Sequence, residues 1–151
     1  MEKIQDVKII GICDVNIEAA NKLAERYGIN NVYTDIKEML NHEKPDVVHI
    51  LTPPQFHKDL AILAMNAGCN VLLEKPMVMN STEAKEVMES ARQNNVKLCI
   101  DYNHLYDPVM IQARKLVAKG YVGDIVYVES WYGFNLGSNL NSRYMTSSAK
   151  D

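Results

Sequence analysis

The sequence predicts an α/β fold with a doubly wound, mostly parallel sheet. Short apolar segments rich in β-branched residues alternate with segments of helical periodicity along most of the chain. The connections between successive apolar segments are too long for hairpins, which favours parallel pairing through helical crossovers. Several apolar segments are continuous rather than alternating, for example residues 47–51, and such strands are typical of a sheet that helices cover on both faces.

The individual elements follow from this pattern and from the residues that end it. Six apolar, β-branched segments are predicted as strands, at residues 7–13, 31–33, 47–51, 70–74, 96–100 and 125–132. Polar residues that can cap a helix precede the helical segments, namely Asn16, Thr34 or Asp35, Asn80 and Asp107. Three glycines are placed to end helices, namely Gly28, Gly68 and Gly120.

Composition excludes several classes of function. The chain has 151 residues, about the size of one domain. Its net charge of −3 provides no basic excess for a nucleic-acid partner. No apolar run approaches the ~20 residues that cross a membrane, and the first residues, MEKIQD, lack the apolar core of a signal peptide.

The cysteines predict neither a disulfide framework nor a metal site. Cys13, Cys69 and Cys99 are odd in number and show no CxxC spacing. We therefore expect small buried hydrophobic side chains at these positions and a reducing, cytoplasmic location.

Candidate site residues lie where the predicted strands end, because ligands of open parallel sheets bind at the carboxyl ends of the strands. Asp14 ends the first predicted strand. A carboxylate there can accept hydrogen bonds from both ribose hydroxyls of an adenine dinucleotide and would repel the extra phosphate of NADP. The other interpretation of Asp14 is an ordinary turn residue after a strand.

Lys75 follows another predicted strand, between Glu74 and Pro76. A lysine there can hydrogen-bond a substrate hydroxyl and stabilise charge during hydride transfer. The other interpretation is an exposed lysine paired with Glu74 on a turn.

The histidines carry weaker signals. His57 lies in the first turn of a predicted helix, where the helix dipole disfavours a positive charge, so a neutral ring is predicted. His49 lies within an apolar strand and is predicted to be a core residue. Asn103 and His104 follow the strand at residues 96–100 and are candidates for the substrate side of the crevice.

Several motifs together resemble the glucose–fructose oxidoreductase/inositol dehydrogenase (Gfo/Idh/MocA) family. The family's motifs are a Thr-Pro-Asn-x-x-His loop, an Ala-Gly-Lys-His-Val turn and strand with a Glu-Lys-Pro end, an Asn-x-Arg-Phe-x-Pro segment and a Gly-x-x-Gly-x-Ile/Val segment. The matching segments here are ICDVN at 12–16, LTPPQFH at 51–57, AGCNVLLEKP at 67–76, NHLYDP at 103–108 and GYVGDI at 120–125. The set in this order is specific, although no single motif is. Pro54 replaces the loop Asn and Leu105 replaces the Arg.

The resemblance implies an NAD(P)-dependent dehydrogenase acting on a sugar, cyclitol or similar polyol. It implies that Asp14 binds the ribose and that the loop with Thr52, Pro53 and His57 lines the dinucleotide. Glu74 and Lys75 would lie beside the nicotinamide, with Lys75 as the catalytic residue that reaches the substrate. A cis bond between Lys75 and Pro76 is implied as well, and no Arg follows Asp14 to attract NADP, so NAD is the expected cofactor.

The family pattern is incomplete in this chain. The sequence contains no GxGxxG, the loop that holds the pyrophosphate, and no Asp-x-x-x-His segment after His104. The resemblance therefore implies a Rossmann-like domain at residues 1–123 that lacks its first strand and Gly-rich loop. Residues 124–133 would be the first strand of a missing substrate domain, and residues 134–151, rich in Asn, Gly, Ser and Thr, a flexible tail.

Two functions remain open at this point. The chain is either a fragment of an oxidoreductase, inactive alone, or a non-catalytic remnant that acts as an oligomerising or interaction module. Without the first strand, the strands at 7–13 and 47–51 lose their common neighbour, which leaves costly unpaired edges. We expect these strands to close up, the 125–132 strand to fill in, or another chain to pair with them, and we expect a homo-oligomer.

Overall fold

The structure is a computed structural model that describes residues 4–131. Its strands are β1 (Ile12–Cys13), β2 (Val32–Tyr33), β3 (Val47–Ile50), β4 (Asn70–Leu73) and β5 (Leu98–Ile100). Its α-helices are α1 (Ile17–Tyr27), α2 (Ile36–Glu43), α3 (His57–Asn66), α4 (Ser81–Gln93) and α5 (Pro108–Ala118). Short 3₁₀ turns lie at Pro54–Phe56 and Asn103–Tyr106. The alternation of strands and helices confirms the predicted α/β class.

All strand pairs in the described residues are parallel, but they form two sheets instead of one. β1 pairs with β2, and a separate sheet has the order β3-β4-β5. The register of the larger sheet sets His49 opposite Leu72 and Leu72 opposite Cys99. Within the described chain, β1 and β3 therefore do not close up on each other, and each keeps an edge without a strand partner.

Two predicted strands differ from the structure. The first strand was predicted over residues 7–13, but only Ile12 and Cys13 pair with a neighbouring strand. Their partner β2 is itself only two residues long, Val32 and Tyr33. The strand predicted over 125–132 is not formed in residues 125–131, where no neighbouring strand pairs with the chain and Val126 is 94% exposed. The tail predicted at 134–151 and residue 132 lie outside the described residues.

Helices α1, α2 and α4 begin at the capping residues that the sequence predicts, and Gly28 ends α1 as predicted. Asn16 Oδ1 accepts hydrogen bonds from the N–H groups of Glu18 and Ala19, both at 3.1 Å, and Gly28 ends α1 in the left-handed conformation with φ of 64°. Asn80 caps α4 by accepting from the Glu83 N–H at 3.0 Å. These local signals fix the helix ends independently of the packing around them.

The core lies between the β3-β4-β5 sheet and helices α3 and α4. Alternate strand residues point into it, so that Val48, Ile50, Val71 and Leu73 are buried while Val47 on the opposite face is 54% exposed. Met65 from α3 and other fully buried side chains complete the core, including Ala61, Ala64 and Val87. Cys69 belongs to this core as expected, but Cys99 on the edge strand β5 is exposed.

The side chain of Asn70 joins the amino ends of three strands. Its Nδ2 donates to the Asp46 carbonyl at 2.9 Å, and its Oδ1 accepts from the Lys97 N–H at 2.9 Å. Asp46 precedes β3 and Lys97 precedes β5, so one amide side chain connects the starts of all three strands, beside the backbone bonds from the Asn70 and Val71 N–H groups to the carbonyls of the same two residues.

The described residues divide into two compact units, with the boundary between Asp107 and Pro108. The described part of the second unit contains α5, followed by Gly120 and Gly123 in left-handed conformations. Its apolar side chains are exposed, with Val109 at 77% and Trp131 at 90%.

Candidate functional site

The carboxyl edge of the β3-β4-β5 sheet collects most of the predicted site residues. The ladder continues one residue beyond the strands, because the Glu74 N–H donates to the Ile50 carbonyl at 3.0 Å and the Asp101 N–H donates to the Leu73 carbonyl at 2.8 Å. These bonds hold the residues that follow β3, β4 and β5 side by side. Thr52, Glu74 and Lys75 consequently lie at one edge, as the parallel topology predicts.

Lys75 presents an ammonium group without a carboxylate partner. No acidic oxygen of residues 4–131 lies within ion-pair distance of its Nζ, and the residue is exposed. The Glu74 carboxylate instead accepts from the Lys75 backbone N–H at 2.9 Å. The structure therefore does not form the Lys75–Glu74 pair that the alternative interpretation requires. The Lys75–Pro76 bond is cis, which confirms the expectation from the resemblance.

His57 joins the loop after β3 to the turn after β4. Its side chain is fully buried, with its Nε2 2.7 Å from the Thr52 carbonyl oxygen. Its Nδ1 lies 2.9 Å from the Pro76 carbonyl oxygen and 3.3 Å from that of Met77. The ring is therefore closed off from a ligand and holds the backbone of both segments.

The loop after β3 forms a tight turn between Thr52 and His57. Pro53 leads into the 3₁₀ turn, and its carbonyl accepts from the Phe56 N–H at 3.0 Å. Thr52 is exposed while its carbonyl points to His57. This turn leaves the side chains of Thr52 and Pro53 on the same edge as Lys75.

Asp14 lies at the end of the other sheet. Its N–H donates to the Tyr33 carbonyl at 3.1 Å, and its Oδ1 accepts from the Asn16 N–H at 2.8 Å. This turn fixes the exposed carboxylate between β1 and α1, the position that the sequence predicts. No strand pairing among the described residues connects its sheet with the one that carries Lys75.

Asn103 and His104 lie in the 3₁₀ turn after β5. His104 Nδ1 is 3.0 Å from Asp107 Oδ2, and both side chains are more than half exposed. The turn follows Asp101 at the carboxyl edge, so both residues belong to the same end of the sheet. Their place on the substrate side stays a prediction.

Sequence reasoning missed the bridging role of His57. Its position five residues after Thr52, in the first turn of the following helix, was a usable signal, because such a ring lies close to the strand end that precedes the helix. The partners across the chain, Pro76 and Met77, could not be read from that spacing.

In residues 4–131, no group of three His, Cys, Asp or Glu side chains has the geometry of a metal site. No helix within the same range is long and apolar enough to cross a membrane. Burial raises the pKa of the Cys13 and Cys69 thiols, which keeps them protonated at neutral pH.

A family model described as an oxidoreductase family with an NAD-binding Rossmann fold matches residues 1–102. The chain belongs to the Gfo/Idh/MocA family. This membership agrees with the α/β fold and with the order of the sequence motifs.

Two relatives of this Gfo/Idh/MocA chain indicate the chemistry found in the family. The chain is 36% identical to D-glucoside 3-dehydrogenase of Escherichia coli, over 80% of the chain and 34% of that protein. It is 28% identical to levoglucosan dehydrogenase of Pseudarthrobacter phenanthrenivorans, over 80% of the chain and 32% of that protein. The chain thus spans about a third of the length of these curated relatives.

Solved structures give the same result. Myo-inositol 2-dehydrogenase of Lactobacillus plantarum aligns with a TM-score of 0.75 and 32% identity, covering 83% of the chain and 37% of that structure. Scyllo-inositol dehydrogenase of Lactobacillus casei, solved with NAD(H) and scyllo-inositol, aligns with a TM-score of 0.76 and 28% identity, covering 82% and 36%. The two sheets of the Gfo/Idh/MocA chain therefore correspond to part of a larger Rossmann-fold enzyme in each comparison.

Proposed function

We propose that this chain forms part of the NAD-binding region of a dehydrogenase that transfers a hydride between a nicotinamide cofactor and a sugar, cyclitol or related polyol. The observation that carries this proposal is the carboxyl edge at which Thr52, Glu74 and Lys75 follow paired strands, with no acidic partner for the Lys75 ammonium among residues 4–131. The family membership and the sugar and cyclitol dehydrogenases among the relatives support the same reaction class.

The residues present fit two parts of the cofactor. The exposed Asp14 carboxylate is fixed by one oxygen to the Asn16 N–H and can accept from ribose hydroxyls, which favours NAD over NADP. Thr52, Pro53 and Glu74 would line the nicotinamide end. The chain offers no GxGxxG backbone for the pyrophosphate, so we propose that it binds NADH only weakly by itself.

Lys75 would be the catalytic residue of the chain. A bound nicotinamide supplies the hydride acceptor or donor. The Lys75 ammonium, which has no carboxylate partner in the part of the chain that the structure describes, can donate a hydrogen bond to the substrate hydroxyl and stabilise the negative charge that develops on that oxygen. Because this role needs a separate group to take the proton, we propose that the chain alone does not turn over substrate, and that Asn103 and His104 contribute only to the substrate side.

An NMR titration with NADH tests the proposed site. Amide resonances of Asp14, Thr52 and Lys75 are expected to move together, with a dissociation constant of roughly millimolar, corresponding to about −4 kcal/mol. NADPH should shift them less. The Asp14→Ala variant should lose the NADH response, whereas Asp59→Ala, at an 82% exposed carboxylate on α3, should keep it.

Two outcomes would contradict the proposal. If the amide resonances of Asp14, Thr52 and Lys75 do not move at the highest soluble concentration of NADH, the proposed cofactor site is wrong. Micromolar binding accompanied by turnover of a polyol would contradict the proposed dependence on a pyrophosphate loop.

The unpaired edges of β1 and β3 support the second candidate, an oligomerising module. Each strand has one neighbour in the described chain, and Leu51 after β3 is 64% exposed. We propose that copies of the chain pair through these edges. Light scattering behind a sizing column should give a mass above 17.1 kDa, and a monodisperse monomer would reject the oligomer.

A further inference from the structure

We propose that His57 is a positioning residue held in its doubly protonated form, and that this buried imidazolium couples the Thr52 loop to the turn that carries Lys75. The proposal rests on the proposed function only for the importance of Lys75. The coupling itself depends on contacts within residues 52–77.

The hydrogen-bond partners of the ring determine its protonation. Both nearest groups, the carbonyls of Thr52 at 2.7 Å and Pro76 at 2.9 Å, are acceptors that cannot donate. A neutral imidazole carries one N–H and would set the lone pair of its other nitrogen against a carbonyl oxygen in a buried site. Only the imidazolium provides an N–H to each carbonyl.

Two effects oppose a positive ring. The ring lies at the first residue of α3, where the helix dipole disfavours a cation, and complete burial removes it from water. Three carbonyl oxygens stabilise a positive ring against these effects. They are the two already named and that of Met77, which lies 3.3 Å from Nδ1. Hydrogen bonds from a charged donor are about twice as strong as neutral ones, and a buried ring nitrogen without its partner is costly. The structure thus favours the charged form over the neutral ring that the helix position alone predicts.

No neighbouring side chain takes over the role of the carbonyls. The helices and the turn next to the ring carry several charged residues, namely Lys58 and Asp59 on α3, Glu74 and Lys75 before the turn, and Glu83, Lys85, Glu86, Glu89 and Arg92 on α4. Lys58 pairs with Glu86 at 3.4 Å, and Glu74 accepts from the Lys75 N–H. Among the described residues, none of these groups forms an ion pair with the ring.

The contacts of His57 explain how the ring affects the site. Thr52 follows β3 and Pro76 follows Lys75, so the two carbonyls belong to the two segments that form the edge. Loss of one ring proton breaks one of these bonds and frees that segment. Deprotonation of His57 would therefore change the position of Thr52 relative to Lys75 without any change in either side chain.

The test uses the 151-residue chain labelled with ¹⁵N-histidine. Long-range ring correlations should show hydrogen on both nitrogens of His57 at neutral pH, with His42 on the exposed side of α2 as an internal comparison. In His57→Gln, where an amide replaces the ring, the backbone amide resonances of Thr52 and Met77 should both move, whereas His49→Gln, the same change at a half-buried histidine of β3, should leave them in place.

Each result decides the proposal. A folded chain whose His57 ring has one nitrogen without hydrogen at neutral pH would overturn it, and so would Thr52 and Met77 amide resonances that stay in place in His57→Gln. If that variant does not fold, the ring measurement on the unaltered chain decides. If NADH does not move the amide resonances of Asp14, Thr52 and Lys75, the proposed cofactor site is wrong, but the ring measurements on His57 are unaffected. The two proposals can therefore fail separately.

Discussion

Replacement of Leu73 by alanine should strongly destabilise the first unit. Leu73 is fully buried on β4, the central strand of the β3-β4-β5 sheet, and directly precedes Glu74 and Lys75. The change removes about three buried CH₂ equivalents at ~0.8 kcal/mol each, roughly 2.4 kcal/mol of transfer free energy. The cavity that remains beside α3 and α4 adds a further cost, and buried Leu→Ala changes span about 2–5 kcal/mol. We expect a loss of about 4 kcal/mol because a central strand cannot collapse into the gap.

Urea unfolding followed by circular dichroism measures this loss. The control is Leu51→Ala, which makes the same chemical change at a side chain that is 64% exposed after β3. Its free energy of unfolding should change by less than about 0.5 kcal/mol. Equal effects of the two substitutions, or a loss below ~1 kcal/mol at Leu73, would refute the assignment of the core to the space between this sheet and its helices.

Three further predictions concern local interactions. Asn80→Ala removes the acceptor for the Glu83 N–H and should lower stability by about 1 kcal/mol in the same urea assay, and an unchanged midpoint would contradict the cap. Gly68→Ala should cost about 1–2 kcal/mol, because its φ of 82° is unfavourable for alanine although no atom within 4 Å obstructs a Cβ; a stabilised variant would argue against this conformation. Hydrogen bonds from Arg92 lower the pKa of Glu89 to about 2, so its contribution is present above pH ~4.3 and is lost as pH falls towards 2. Glu89→Gln should therefore be less stable than the unaltered chain above pH ~4.3 and should approach its stability as pH falls towards 2, so thermal melts should differ at the upper end of this interval and converge at the lower end.

Local signals in the sequence were sufficient for several helix ends. Asn16 and Gly28 predict both ends of α1, and Asn80 predicts the start of α4, because these ends depend on side-chain and backbone contacts within a few residues. The strands were less predictable. Residues 7–13 have strand composition, yet only two of them pair, since strand length depends on a neighbour that lies elsewhere in the chain.

The candidate site was predictable in its location and less so in its contacts. Parallel topology alone places Thr52 and Lys75 at one edge, because the carboxyl ends of paired strands coincide. The sequence could not decide whether Glu74 pairs with the Lys75 ammonium, since that depends on the rotamer that turns the carboxylate to the backbone N–H. For His57 the sequence could not show that the ring lies 2.9 Å from the Pro76 carbonyl oxygen, because that carbonyl belongs to a turn nineteen residues away in sequence.

The amide bridge made by Asn70 adds a side-chain connection where the backbone ladder of the sheet begins. Backbone bonds join the same segments, from the Asn70 N–H to the Asp46 carbonyl at 3.0 Å and from the Val71 N–H to the Lys97 carbonyl at 2.9 Å, so the side chain reinforces an alignment that the ladder also makes. Lys75 follows the far end of the same strand, and its neighbours at the carboxyl edge depend on that alignment. A residue at position 70 that cannot both donate and accept would leave the starts of β3, β4 and β5 to the backbone bonds alone.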